Sequence, residues 1–160
     1  MATNFLYAAG TDGFIATPFN LLTTELNTLG SGNTVISSVN GTSGVFTQAN
    51  TASALWAILS FLAGGTFTPT GAPNLSGWFV LKADDSHYEK LVSNTAPPRA
   101  PDFVIPLFTS AYAANDISAC QGGLVRLPAA PFEVLIQNNS GVSLPSSGNK
   151  IICGPVAVQY

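Results

Sequence analysis

The densest cluster of side chains that could do chemistry is Asp84-Asp85-Ser86-His87-Tyr88-Glu89, which contains the only histidine of the chain. Carboxylates bind Ca²⁺ or Mg²⁺, and a histidine beside acids can transfer protons. The Asp-x-Asp-x-Asp-Gly pattern of a calcium-binding loop is missing, however, and six consecutive loop residues seldom converge on one point. We therefore interpret residues 84–89 as a solvated turn and predict no metal site and no catalytic site.

Other catalytic and ligand-binding patterns are also weak. A serine hydrolase needs a serine, a histidine and an acid in register, but no Gly-x-Ser-x-Gly elbow accompanies His87. The glycine-rich residues 30–32 precede no Lys-Ser/Thr step, so they do not predict a phosphate-binding loop. We predict a protein without catalytic residues or cofactor. The aromatic residues that could stack on a sugar are Trp56, Trp78, Tyr88 and Tyr112, of which Trp78 is expected in the core.

The chain carries unusually little charge. Charged residues make up 8% of 160 residues, against about 25% in an average soluble protein. The five basic residues are scattered, whereas nucleic-acid binding needs lysines and arginines clustered to meet phosphates, so we expect no direct nucleic-acid partner. A surface of small polar residues with apolar patches between them is suited to contact with other proteins.

No stretch of the sequence predicts export or membrane insertion. Residues 1–7 lack the basic and apolar regions of a secretory signal, and the apolar run of residues 54–63 is far shorter than the roughly 20 residues of a transmembrane helix. Cys120 and Cys153 are the only cysteines. Whether they pair stays open, although buried free thiols are the commoner state in a protein made in the cytosol.

Strand-like segments separated by polar loops predict a β-sheet framework. Residues 132–137 and 150–160 are predicted to form a hairpin that places the end of the chain inside a sheet, and the strands at residues 54–63 and 77–83 are predicted to form a wide hairpin. The three prolines of residues 95–102 predict an extended connection between sheets. Further strands are predicted at residues 34–39, 44–48, 103–108 and 122–128, with Pro106 indicating a sheet edge.

One helix is predicted, at residues 21–29. Leu22, Leu26 and Leu29 have the i, i+4, i+7 spacing of a helical face, Thr23 or Thr24 can cap its start, and a glycine follows its end. We predict an all-β fold, an antiparallel β-sandwich (jelly-roll-like) with one short N-terminal helix, in which residues 21–160 form a single domain.

Residues 1–20 show neither helical nor strand periodicity and are predicted to form an N-terminal arm. Its large apolar side chains must be covered, either by its own domain or by a neighbouring subunit. The second alternative makes the arm a set of candidate inter-subunit contacts, which are Phe5, Leu6, Tyr7, Phe14, Ile15 and Phe19.

The order of several short segments resembles a group of small virion proteins of tailed bacteriophages, the jelly-roll capsid decoration or cement type. The segments are spread over residues 23–141 and consist of strands and turns rather than of a chemical signature. They are Thr23-Thr24-Glu25-Leu26-Asn27, Ala54-Leu55-Trp56, Gly77-Trp78-Phe79-Val80-Leu81 with Asp85-Ser86-His87-Tyr88-Glu89, Pro97-Pro98-Arg99-Ala100-Pro101-Asp102-Phe103-Val104-Ile105-Pro106-Leu107, and Ile136-Gln137-Asn138-Asn139-Ser140-Gly141.

The resemblance implies a non-enzymatic structural role. A protein of this kind is made in the host cytoplasm, binds the outer surface of the phage capsid, bridges neighbouring major capsid proteins and stabilises the shell. The partners implied are the major capsid protein and further copies of the chain, in a dimer or trimer, with no membrane and no nucleic acid. A receptor-binding module of a phage tail or fibre, directed at a host glycan, is the alternative hypothesis.

Overall fold

A computed structural model describes residues 18–39, 42–43, 46, 56–82, 89 and 95–156, which form an antiparallel β-sandwich. The predicted fold class is confirmed. One sheet has the strand order β1-β11-β5-β8, with β9 also pairing with β5, and the other has the order β2-β10-β6-β7. The strands are β1 Phe19–Leu22, β2 Thr34–Ile36, β3 Ser38–Val39, β4 Thr42–Ser43, β5 Trp56–Leu62, β6 Asn74–Leu81, β7 Phe103–Pro106, β8 Ile117–Ala119, β9 Val125–Arg126, β10 Phe132–Asn139 and β11 Lys150–Val156.

The core lies between the two sheets and follows from the alternation of side chains along each strand. In β5, the buried residues Ala57, Leu59 and Phe61 alternate with less buried ones. In β10, every second residue from Phe132 to Ile136 points into the same cluster. Phe46 joins this cluster from outside the strands and stacks between Phe19 and Phe132, with ring centroids 5.8 Å apart in both pairs.

Both predicted hairpins are wrong, although their strands exist. β10 lies between β2 and β6 in the four-stranded sheet, whereas β11 lies between β1 and β5 in the other sheet. β5 and β6 also belong to different sheets. The polar loops that follow β5 and β10 therefore cross the roughly 10 Å between packed sheets instead of turning within one sheet. The prediction that the C-terminal strand lies inside a sheet is confirmed.

The predicted N-terminal helix is replaced by a strand and a single 3-10 turn. Residues Leu21 and Leu22 belong to β1, which pairs with β11, and only Thr24–Leu26 is helical. The Thr23 side chain makes no capping hydrogen bond, and the extended backbone of Asn27 ends the 3-10 turn. The helical spacing of the leucines extends over too few residues to stabilise a helix, and pairing with β11 determines the structure instead.

The outer face of the four-stranded sheet carries a second, smaller apolar cluster. Trp78, Val80 and Leu135 are buried there against Ile36 and Ala96. The Trp78 indole N–H donates to the backbone oxygen of Arg99 at 3.1 Å, so residues 95–102 lie over this face. As predicted, residues 95–102 form no strand, but they connect β6 with β7 of the same sheet rather than two sheets.

Cys120 and Cys153 are buried free thiols on opposite sides of β5. The Cys120 N–H donates to the Leu59 carbonyl, and Cys153 is the register partner of Leu59 on the other side. Two strand spacings of about 4.8 Å therefore separate the thiols, which exceeds the Cα separation that a disulfide spans. Burial raises the pKa of the Cys153 thiol to about 12. Among the described residues, no helix is both long and apolar enough to span a bilayer.

Candidate protein-binding surface

Phe108 and Ile117 are the most exposed large apolar side chains of the described residues, at 66% and 56% of their full accessibility. Phe108 follows β7 and Ile117 begins β8, the edge strands of the two sheets on the same side of the sandwich. Both side chains line a shallow depression of about 200 Å³. We call its lining residues the edge patch, namely Phe108, Ser110, Ala111, Tyr112, Asp116 and Ile117.

The alternation of β7 places Phe108 at the surface. Phe103, Ile105 and Leu107 are buried in the core, so the intervening positions point away from it, and Phe108 continues that outward series. Pro106 is exposed on the same side, and β7 lies at the edge of its sheet, as the proline predicted. The strand predicted at residues 103–108 includes Phe108, and the alternation of apolar residues within it indicates that the Phe108 side chain points outward.

The buried side chain of Tyr112 lies beneath the edge patch and holds it in place through hydrogen bonds and ring contacts. Its ring is buried and lies 5.0 Å from the Phe67 ring, and its backbone exchanges two hydrogen bonds with Phe67. Its hydroxyl accepts a hydrogen bond from the Phe108 N–H at 3.0 Å and shares another with the Ser118 hydroxyl. Phe108 and Ser118, which follows Ile117, are therefore hydrogen-bonded to one buried side chain. A surface held in this way loses little conformational entropy when a partner binds.

Asp116 closes the turn between Tyr112 and β8. Its carboxylate accepts a hydrogen bond from the Ala113 N–H at 2.7 Å, and Asn115 adopts the positive φ of 73° that this turn requires. The only acidic side chain in the edge patch therefore serves the local backbone. The rest of the patch is apolar or hydroxylic, which matches the composition of a protein-binding surface more closely than that of an ion site.

A larger groove of about 780 Å³ opens at the other end of the sandwich, where β6 ends and β7 begins, beside β9. Its floor includes the buried rings of Phe79 and Phe103, and Leu81 and Leu124 lie exposed at its rim. We call it the end groove. Its lining residues are Phe79, Leu81, Glu89, Arg99, Asp102, Phe103, Gln121, Leu124, Val125, Arg126, Leu127, Pro128 and Ala129.

Arg99 organises one wall of the end groove. Its guanidinium pairs with Glu89 at 3.1 Å and with Asp102 at 2.8 Å, and it donates to the Phe79 carbonyl at 2.9 Å. The hydrogen bond with Glu89 is the largest cause of a raised Arg99 pKa, opposed by partial burial and assisted by Asp102. The Asp102 carboxylate also accepts from the Phe79 N–H at 2.7 Å. This network fastens residues 99–102 to β6.

The structure describes only some of the candidate residues that were predicted from the sequence. Of the candidate inter-subunit contacts, Phe5, Leu6, Tyr7, Phe14 and Ile15 lie outside the described residues, and the prediction for them stays a prediction. Phe19 is half-buried in β1 and packs against Phe46 of its own domain. Of the polar cluster at residues 84–89, only Glu89 is described, and it pairs with Arg99.

The aromatic residues considered for sugar stacking do not form one face in the part of the chain that is described. Trp78 is buried on the outer face of the four-stranded sheet, and Tyr112 is buried beneath the edge patch. Trp56 is half-buried in β5, and Tyr88 lies outside the described residues. The predicted strand position of Trp78 is confirmed, and its ring is covered by residues 95–102 rather than by the opposite sheet.

Within the described ranges, no three His, Cys, Asp or Glu side chains are grouped so that they could hold a metal ion. Comparison of the chain with protein-family models, with curated proteins and with solved structures finds no match. The β-sandwich and its two surfaces are therefore the observations from which a function must be argued.

Proposed function

We propose that this protein is a non-enzymatic virion structural protein that binds the outside of a phage capsid, bridges major capsid proteins and stabilises the shell. The observation that carries the proposal is the edge patch, a preorganised apolar surface on a chain with very few charges. The resemblance of the sequence to capsid decoration proteins supplies the identity of the partner. The β-sandwich fold is compatible with this role but does not by itself define it.

The chemistry of the edge patch supports binding to protein. Burying a whole phenylalanine or isoleucine side chain contributes about 1.5–3 kcal/mol. Phe108 and Ile117 both project from the surface, so a partner that covers them gains free energy, and the only charged side chain of the patch, Asp116, already accepts a hydrogen bond from the Ala113 N–H. Since the hydroxyl of Tyr112 already holds the backbone of Phe108, this gain is reduced little by ordering of the surface.

A modest contact of this kind is sufficient when it is repeated. On an icosahedral shell, each copy that touches two neighbouring capsid subunits links them, and self-association of the copies adds avidity. Internal pressure from packaged DNA acts to separate those subunits, so bridging copies resist expansion of the shell. No specific observation on the described residues favours the receptor-binding alternative or an enzymatic role.

The proposal is tested by binding to expanded, DNA-free heads of the phage that encodes the chain. Purified protein is mixed with heads at increasing concentration, and occupancy is read by mass spectrometry of pelleted particles and by electron microscopy. We expect saturable binding at a fixed number of copies per head, together with a higher temperature of head disruption. Free protein with undecorated heads, or protein bound only to tails of complete virions, would overturn the proposal.

The edge patch is tested in the same assay with the double variant Phe108→Ser, Ile117→Ser. Loss of two exposed apolar contacts should weaken binding by roughly 2 kcal/mol, or about 30-fold in Kd. Leu124→Ser is the matched control, because it removes an exposed apolar side chain at the opposite end of the sandwich. Equal weakening by the control variant would show that the edge patch is not the contact surface.

A further inference from the structure

Among the described residues, the end groove presents one arginine outside any ion pair, Arg126, beside two exposed leucines. Arg99 pairs with two carboxylates, Glu89 and Asp102, so these three side chains together carry one negative charge. Within the described residues, Arg126 makes no ion pair, and Leu81 and Leu124 retain 44% and 40% of their accessibility. The groove is therefore complementary to a segment in which a carboxylate lies next to large apolar side chains. Its volume of about 780 Å³ is within the range of ligand-binding clefts.

β1 begins at the end of its sheet where the groove lies. Phe19, the first residue of β1, lies opposite Cys153 in the antiparallel pair β1–β11, so the start of β1 faces the end of β11. β11 ends at Val156, which is the register partner of Trp56. On its other edge, Trp56 is the register partner of Arg126. The chain thus enters β1 from the end of the sheet where the groove lies.

The distance from Phe19 to the groove can be estimated from the strand register. Three strand spacings of about 4.8 Å separate β1 from β9, which gives roughly 14 Å across the sheet. Arg126 lies about three residues, or roughly 10 Å, further along the sheet than Phe19. The diagonal is about 17 Å, and the seven residues from Asp12 to Phe19 can span roughly 23 Å. Asp12, the first residue of the segment Asp12-Gly13-Phe14-Ile15, can therefore reach Arg126.

We propose that this segment docks in the end groove of its own chain, with the Asp12 carboxylate on Arg126 and with Phe14 and Ile15 over Leu81 and Leu124. The segment combines one acid with two large apolar residues, which are the groups that complement Arg126 and the exposed leucines, and no other acid occurs in residues 1–20. A tethered segment has a local concentration in the millimolar range, so its own groove is occupied before that of another copy. The inference is independent of the capsid proposal, since it concerns the free protein.

The docked segment is tested by disulfide trapping in the full chain. Asp12→Cys and Arg126→Cys are combined, the protein is oxidised mildly at micromolar concentration, and the product is examined by intact mass and by non-reducing electrophoresis. We expect a monomer that has lost two hydrogens and that regains them on reduction. The native cysteines are buried and do not compete. Asp12→Cys combined with Ser146→Cys is the control, because Ser146 is exposed in the loop at the opposite end of β5, and it should remain reduced.

Two results of trapping overturn the inference. A covalent dimer would place the segment on a neighbouring subunit, which is the other alternative for Phe14 and Ile15. Absence of a cross-link, or equal cross-linking in the control, would show that the segment does not occupy the groove. Each result is read without capsids, so failure of this inference and failure of the proposed function are distinguishable.

A charge-reversal cycle provides a second readout that requires no engineered cysteine. Chymotrypsin cleavage after Phe14 measures how often the segment leaves the groove. Arg126→Glu should accelerate this cleavage about fivefold, which corresponds to about 1 kcal/mol for an ion pair of this kind. Combining Asp12→Arg with Arg126→Glu should restore slow cleavage, whereas additive effects of the two substitutions would argue against direct pairing. Circular dichroism of each variant verifies that the sandwich is folded.

Discussion

Replacing Asn138 tests whether buried amide groups hold the connection between the two sheets. Asn138 lies in β10, and its side chain is completely buried. Its Nδ2 donates to the carbonyls of Leu29 at 2.7 Å and Val142 at 2.8 Å, and its Oδ1 accepts from the Ser140 N–H at 2.9 Å. One side chain therefore joins the turn after the 3-10 helix to the start of the loop that leads from β10 to β11.

The loss of stability expected for Asn138→Ala depends on which hydrogen bonds the partners of Asn138 keep. The Leu29 carbonyl still accepts from the Leu144 N–H, and the Val142 carbonyl still accepts from the Ser140 hydroxyl, so each loses a bond without becoming unpaired. The Ser140 N–H, in contrast, loses its acceptor. Two lost bonds at about 1 kcal/mol each and one orphaned buried donor at about 2 kcal/mol predict a loss of about 4 kcal/mol.

The assay is urea unfolding followed by far-UV circular dichroism, with stability taken from the midpoint at constant slope. Asn139→Ala is the matched control in the neighbouring position. Asn139 is half-buried on the outer face, and its Nδ2 donates over the longer distances of 3.2 Å to Asn74 and 3.1 Å to Ser76. We expect the control to cost less than about 1 kcal/mol. A loss of stability below about 1 kcal/mol for Asn138→Ala, or an equal loss for both variants, would refute the estimate based on the hydrogen bonds of the Asn138 side chain.

Two further predictions concern close packing and pH. In Gly77→Ala, the new methyl group would overlap the buried ring of Phe103 on β7, so overpacking should destabilise the fold by about 3 kcal/mol in thermal unfolding. Adding Phe103→Leu should recover part of this loss of stability. A single variant as stable as the unmodified protein would contradict the close packing of Gly77 against Phe103. Burial raises the Cys153 pKa from 9.0 to about 12, so the folded state holds the thiol proton more tightly, and stability is retained below pH 9 and lost as pH rises toward 12. Between pH 8 and pH 10, the free energy of unfolding from urea titrations should fall by about 1.4 kcal/mol more in the unmodified protein than in Cys153→Ala. Parallel pH profiles of the two proteins would contradict a raised pKa for the Cys153 thiol.

The sequence predicts strands better than it predicts their partners. The cores of β5, β6, β7, β10 and β11 follow from apolar runs that local periodicity reveals. Pairing is decided by contacts distant in sequence, as between β10 and β2 or between β11 and β1. A polar loop of the same composition can close a hairpin or cross between sheets. The sequence of the two loops therefore could not show that the predicted hairpins were wrong. The loop after β10 crosses because Asn138 and Asn149 attach its two ends to residues near the 3-10 helix.

The candidate surface was only partly accessible to sequence analysis. The low charge predicted protein contacts in general, and the alternation of β7 contained the outward position of Phe108. Ile117 begins a three-residue strand, β8, which is too short to produce a periodic pattern and was not predicted. Proximity of Phe108 and Ile117 depends on the turn closed by Asp116 and on the hydroxyl of Tyr112, both of which are tertiary features.

The two surfaces lie at opposite ends of β5, and this separation has a functional consequence. Ile117 of the edge patch is the register partner of Leu62, whereas Arg126 of the end groove is the register partner of Trp56. Six residues of strand, or roughly 20 Å, therefore separate the two sites along the sheet. A segment docked in the end groove leaves the edge patch uncovered, so one copy can cover its own groove and still present Phe108 and Ile117 to a partner. Because β5 is hydrogen-bonded on both edges, occupation of one site should not deform the other, and the affinities measured for the two sites should be additive.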